Sequence, residues 1–163
     1  MRYEKAALVL FAVLALAGCQ TTAGTIHDVH TGVAISHSKR YQVQSGLLSS
    51  IYATAGHHSS KGYVVAVEYM ATGGGWLFME EAWSYGKRLP FEVKRQDVLA
   101  CGAGCTLEET GQIRLTEDEF QTAASSGFAF KIVGRNGAID GVVPASAFHE
   151  VLVQRGAQHT FQR

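Results

Sequence analysis

Residues 63–70 read Tyr-Val-Val-Ala-Val-Glu-Tyr-Met and run through Ala71 into Thr72-Gly73-Gly74-Gly75. Tyr63, Val65, Val67 and Tyr69 share one side of an extended chain, and Val64, Ala66, Glu68 and Met70 share the other, because successive side chains of a strand point to opposite faces. This period of two, in residues suited to pleated backbone and ended by glycines, predicts a strand and then a turn. A second β-rich run, Trp76 to Tyr85, predicts the return strand. Tyr63, Tyr69, Trp76, Phe78, Trp83 and Tyr85 would then cluster in a single hairpin.

The same period continues toward the C-terminus. Leu89, Phe91 and Val93 alternate with Pro90, Glu92 and Lys94, and Pro90 indicates an edge or a strand start because it has no N–H to donate. Ile113 and Leu115 alternate with Gln112, Arg114 and Thr116. Phe128, Phe130 and Ile132 form a further inward row, followed by Arg135-Asn136-Gly137, whose Asn-Gly pair suits a tight turn with positive φ at both central residues. The return strand is expected over 138–143. Thr116-Glu117-Asp118-Glu119 has the form of a capping box and Gly127 a helix stop, which predicts one helix. A second is expected from Pro144 and Ser146, with Phe148, Val151 and Leu152 on one face, ending at Gly156. The expected fold is mainly β, a β-sandwich or curled antiparallel sheet with two short helices, preceded by an N-terminal signal helix.

Arg2 and Lys5 precede an unbroken apolar run, Ala6 to Gly18, which fits the charged start and short apolar core of a secretory signal. Thirteen residues are too few to span a bilayer, which takes about 20. The run closes in Leu16-Ala17-Gly18-Cys19, which resembles the bacterial lipobox. That resemblance implies cleavage after residue 18, diacylglyceryl and further acyl groups such as palmitate on Cys19, and a lipoprotein of the cell envelope. Gln20 stands where the family often places an inner-membrane retention Asp, so an outer-membrane destination is implied over the inner one. Several acyl chains hold far more firmly than one, at about 0.8 kcal/mol per buried methylene. The expected organisation is a signal peptide over 1–18, a polar lipidated tether over 19–31, and a single β-rich domain over 32–163. Cleavage removes Arg2, Lys5 and Glu4 and leaves 12 basic against 13 acidic residues, so the charge offers no footprint for nucleic acid.

Cys101-Gly102-Ala103-Gly104-Cys105 is the most specific local feature of the mature part. An envelope protein matures under oxidising conditions, where two nearby cysteines are expected to pair. The glycines let the backbone turn tightly, and so short a ring would stabilise by about 2 kcal/mol on the loop-entropy model. Two alternatives stay open. A redox centre would normally have two intervening residues, and a zinc site would need two further ligands.

Seven histidines include His27, His30 and the adjacent His57-His58, read as surface residues of the tether and of a Ser/Gly-flanked turn. Gly73-Gly74-Gly75 is followed by Trp76-Leu77 in place of the Lys and Ser/Thr of a phosphate loop, so it is read as a turn. The acids at 117–119 suit the first turn of a helix. No catalytic, cofactor or metal residues are assigned. Tyr69, Trp76 and Trp83 are the candidate interaction surface, if they are not core.

From Leu89 onward, the Leu-Pro-Phe strand, the Gly-Cys element, the helix near Glu119-Phe120, the hairpin through Asn136-Gly137 and the run Pro144-Ala145-Ser146 to Phe148 are similar in layout to the invasion-associated locus B family of envelope β-sandwich proteins. The resemblance implies a sandwich with Cys101 and Cys105 paired and carries no catalytic residues. The expected function is that of a non-enzymatic, membrane-anchored lipoprotein whose partner is another envelope or external protein. The alternative is a module for a small or apolar ligand, and a hydrolase or redox enzyme is the third reading.

Overall fold

The computed structural model describes residues 22–161 apart from Ala103; the expected signal helix and Cys19 lie outside them. The expected mainly β architecture with two helices is observed, in two antiparallel sheets. The larger sheet has the order β1 (Gly24–His27), β2 (Ala34–His37), β4 (Ser49–His58), β5 (Gly62–Thr72), β9 (Cys105–Leu115), β8 (Phe91–Cys101). A further strand, β3 (Tyr41–Ser45), follows β2 along the same edge of β4. The smaller sheet has the order β11 (Gly137–Val143), β10 (Phe128–Gly134), β6 (Met79–Ser84), β7 (Lys87–Leu89). Helices α1 (Glu117–Ser126) and α2 (Ala145–Phe161) complete the described chain.

One face of the larger sheet is the core. Ile51, Ala53 and Ala55 of β4, Tyr63, Val65 and Val67 of β5, and Ile113 and Leu115 of β9 are all buried on it, each row at the strand period of two. Phe120 and Phe148 bring the helices onto this core, and Ala82, Phe130 and Ile132 bring the smaller sheet. The Phe120 ring lies 4.5 Å from that of Tyr63 and 4.9 Å, edge-on, from that of Phe148. The capping box forms as expected: the Thr116 hydroxyl accepts from the Glu119 amide at 3.2 Å, and the Thr116 amide donates to the Glu119 carboxylate at 2.8 Å.

The single hairpin expected over 63–85 does not form. β5 pairs with β4 and β9, whereas β6 belongs to the other sheet, between β10 and β7. The physical reason is that β5 finds better edges. Its inward valines meet alanines of β4 and the Gly111 and Ile113 positions of β9, so a long strand on either side completes its ladder. The alternation of Leu89, Phe91 and Val93 likewise spans two sheets. Leu89 is buried in β7, Pro90 ends that strand without a ladder donor, and Phe91 opens β8 at the edge of the larger sheet.

Two further expectations change. The stretch read as tether contains β1, whose Thr25 pairs with Ser36 and whose Ile26 pairs with Ile35. Its turn is closed by Asp28, which accepts from the His30 and Thr31 amides and the Thr31 hydroxyl; the last of these contributes most to holding its carboxyl below the ordinary value. α2 runs past Gly156 to Phe161, since an exposed glycine weakens a helix by only about 1 kcal/mol and the following residues do not stop it.

Between β2 and β3 the edge strand bends, and Ser38 repairs the ladder. Its amide donates to the Ala55 carbonyl at 2.9 Å, and its buried hydroxyl accepts from the Ala55 amide at 3.0 Å. α2 pins the same bend, because Glu150 accepts from the Lys39 amide at 2.9 Å and the Tyr41 hydroxyl at 2.7 Å. Replacing Phe120 by Ala should lower the free energy of unfolding by about 3–5 kcal/mol, because both helices and β5 lose the ring that joins them. Urea denaturation of the described domain measures it, and a loss below about 1 kcal/mol would place the helices outside the cooperative core.

Candidate functional site

Glu109 stands at the inward position of β9 between Leu107 and Gly111 and is 0% exposed. Burying a carboxylate is costly unless hydrogen bonds replace its water. Here the amides of Leu77, Phe78 (3.0 Å) and Met79 (3.1 Å) and the Gln96 side-chain amide (3.1 Å) donate to it. Those three consecutive amides belong to the segment that carries the chain from β5 to β6. Its carbonyls are satisfied from the opposite side by the β10–β11 turn. The Arg135 amide donates to Phe78 and the Asn136 amide to Leu77, both at 3.2 Å, and the Asn136 side chain donates to Trp76 at 2.8 Å. Gly134 lacks a side chain where the Leu77 carbonyl passes, since a Cβ there would lie 2.3 Å from that oxygen. Arg135 and Asn136 are the central residues of the turn, closed by Gly134 opposite Gly137, and neither has positive φ, which departs from the expected turn at Asn136-Gly137.

The three candidate aromatics part company around this segment. Tyr69 lies opposite Glu109 on the neighbouring strand, its hydroxyl 3.5 Å from the Gly75 carbonyl; burial, then the Glu109 charge, raises its pKa. Trp76 begins the segment itself, with its ring 6.3 Å from that of Phe78. These two belong to the clamp. Trp83 lies instead on the outer side of the smaller sheet, where its indole N–H donates to Glu81 at 2.9 Å and it pairs across the ladder with Lys131.

Around Trp83 the outer face forms an open cleft of about 430 Å³ with Tyr85, Ala129, Lys131, Val133 and Asp140 among its lining. Lys131 and Asp140 of its lining form an ion pair at 3.5 Å, and beside Trp83, Arg88 of the neighbouring strand pairs with Glu81 at 2.8 Å. On the other side of Tyr85, a second cleft of about 480 Å³ runs between α1 and the β6–β7 turn, with Leu89, Thr122 and Phe128 in its walls. Lys87 reaches Glu119 across its margin at 2.7 Å, and that bond is the main cause of the lowered pKa of Glu119.

Tyr85 itself is unusual. It and Gly86 have φ of 46° and 79° and form the two-residue loop between Ser84 and Lys87, the mirror-image turn that matches strand twist and demands left-handed residues. A non-glycine side chain in that conformation costs about 1–2 kcal/mol. The ring recovers nothing by burial, being 91% exposed between the two clefts. Residues kept in costly conformations concentrate at binding sites. Sequence reasoning included Tyr85 in its aromatic cluster but did not place it in the candidate surface; the Tyr-Gly pair between two β-rich runs is the signal that could have done so.

Cys101 and Cys105 are joined in a disulfide, facing each other across the turn from β8 to β9. His57 and His58 occupy the last turn-facing residues of β4, not a free loop, and the His57 ring lies 4.7 Å from Tyr63. Burial and then the Arg155 charge lower the His57 pKa. Among the described residues no group of three or more His, Cys, Asp or Glu side chains could hold a metal ion. No family model, curated protein or solved structure matches this chain.

Two outcomes follow for these groups. Glu109→Ala strips the acceptor from three consecutive amides and should cost at least ~3 kcal/mol in urea unfolding, given ~1–3 kcal/mol for each buried group left unpaired. Glu109→Gln should fall between, since it keeps one acceptor oxygen. Equal stability of wild type and Glu109→Ala would refute the clamp. For His57, the folded state resists a proton that the unfolded chain accepts. Its stabilising effect is complete above about pH 6.5 and fades as pH falls through the lowered folded value. Melting temperature should therefore decline more steeply from neutral toward mildly acidic pH in wild type than in His57→Gln, and identical slopes would contradict this.

Proposed function

We propose that this protein is a lipid-anchored lipoprotein of the cell envelope, held through Cys19, most consistent with the outer membrane, and that its β-rich domain is a non-catalytic module that docks a partner protein on the outer face of the smaller sheet. The observation that carries the reading is Tyr85, kept at positive φ and exposed between two apolar clefts with Trp83 on the floor of one of them. A fold under no functional demand would favour Asn or Gly at that turn. An open aromatic platform with a rim of opposite charges suits a protruding apolar side chain of a protein flanked by polar groups, the usual anatomy of a binding hot spot.

A small apolar ligand is the second reading, favoured by the size of the Trp83 cleft, which lies within the roughly 300–1,000 Å³ range of ligand pockets. Such pockets enclose most of their ligand, and this one is open along one side, which favours the protein partner.

The Tyr85→Asn variant separates binding from folding. Relief of the turn should raise stability by about 1 kcal/mol, while partner capture falls. A photo-crosslinking residue at position 140, on the cleft rim, should give one discrete protein adduct in intact envelopes, lost in Trp83→Ala and Tyr85→Asn. Adducts unchanged by either substitution, or reproduced with the photo-residue on exposed Val153 of α2, would refute the docking surface. Selective shifts of the Trp83 indole resonance by apolar small molecules, without any protein adduct, would establish the second reading instead.

A further inference from the structure

β1 begins within the stretch 19–31 that was expected to be tether, which shortens the free chain after Cys19. Gly24 already pairs with His37 in the larger sheet, so five residue steps separate it from Cys19. Fully extended, five steps span at most about 18 Å. That is little more than the roughly 14 Å radius of gyration of a domain of about 140 residues. A domain anchored through Cys19 therefore rests at the bilayer surface, with the surroundings of β1 nearest the lipid.

Three apolar side chains of those surroundings face outward, among polar neighbours that include Asp28, His30 and Thr31 in the turn and His58 opposite Ile35. Alternation turns Thr25 and Ser36 toward α2, where the Thr25 hydroxyl donates to the Gln154 side chain at 3.3 Å and Ser36 is buried. The neighbouring pair, Ile26 and Ile35, consequently faces away from α2, and Ile26 is 58% exposed. Val29, in the connecting turn, is 86% exposed. Within that turn the Asp28 amide donates to the Val33 carbonyl and the Gly32 amide to the Asp28 carbonyl, while the Asp28 carboxylate accepts from the His30 and Thr31 amides. A turn whose polar groups are paired can approach lipid headgroups without stranding them.

We infer that the β1–β2 hairpin is the face of this domain that meets the membrane, with Ile26, Val29 and Ile35 entering the boundary between headgroups and acyl chains. The inference rests on the reading of Cys19 as the lipid attachment site. Its physical basis is that an anchor on a short tether keeps a weakly apolar surface at the interface continuously, so contacts too few to bind membranes alone still set orientation. The helices and smaller sheet pack on the other face of the larger sheet, so this orientation turns the Trp83 cleft away from the lipid.

The test uses the full chain, produced in a bacterium that acylates lipoproteins. Intact mass of the mature protein first reports whether Cys19 carries lipid; an unacylated protein would refute the anchor and with it this docking. The acylated protein is reconstituted into phosphatidylethanolamine and phosphatidylglycerol vesicles containing a lipid with a diazirine in its acyl chain, and adducts are mapped by peptide mass spectrometry. Adducts should concentrate on residues 24–37, fall several-fold in the Ile26→Ser/Ile35→Ser double variant, and be absent from the peptide holding Trp83. Both substitutions are at solvent-facing positions, and a melting curve confirms that the variant is folded. An acylated protein whose adducts spread over both faces, or concentrate on peptides outside residues 24–37, would overturn the membrane-facing hairpin while leaving the anchor intact.

Discussion

Glu109, buried on β9, receives the amides of Leu77, Phe78 and Met79 and so holds the crossing between the two sheets. The chain must leave the larger sheet after Thr72 and enter the smaller one at Met79, and the connecting segment, exposed over 73–75, then buries Leu77. Backbone buried there brings polar groups that water cannot reach. One carboxylate meets three consecutive amides, and the β10–β11 turn meets three consecutive carbonyls from the other side. The segment is thus held between the sheets by bonds that run in both directions. Register in β6 follows, because Met79, the last of the clamped amides, is also the first residue of that strand and pairs with Gly134 of β10.

From that register comes the display on the outer face. With Ala82 turned into the core, Glu81 and Trp83 must point outward, and the two-residue turn after Ser84 projects Tyr85 beyond the sheet. Inner clamp and outer cleft are therefore successive consequences of one crossing. Tyr69 and Trp76 serve the first, and Trp83 and Tyr85 form the second. At the far edge of the larger sheet, β8 is long and exposed, but it is bulged twice and carries Glu92, Lys94, Arg95 and Asp97, devices that discourage pairing with another chain. The molecule's opportunities for contact are thereby limited to more specific places.

Several elements were legible from local pattern because local physics decides them. The capping box at Thr116, the stop at Gly127, the strand over 63–70 and the hairpin expected through Asn136-Gly137, though not which residues are central in its turn, all depend on neighbours within a few residues. β4 was not legible, since its inward row contains two alanines and ends in Gly-His-His, a weak apolar signal that becomes a central strand only between β5 and the edge strands. β1 was hidden for a related reason: an edge strand with a single isoleucine needs no amphipathic pattern. Glu109 could have been suspected from its parity with Leu107, Ile113 and Leu115, but an inward carboxylate has no meaning until its donors, thirty residues upstream, are brought to it.

By itself the sequence determined that the domain would be built of β-strands with two helices, because periods of two, capping residues and turn residues act over short distances. It also specified the cysteine pair, four residues apart, whose geometry needs little beyond its own glycines. Which strands share a sheet, the outward place of Trp83 and Tyr85, the place of Tyr69 and Trp76 beside the crossing, and the pairing of Gly24–His27 into the larger sheet emerge only from long-range packing. Those outcomes depend on pairing between distant segments, where the choice among edges is made by total burial and by the need to satisfy every enclosed amide, quantities that no local stretch of residues contains.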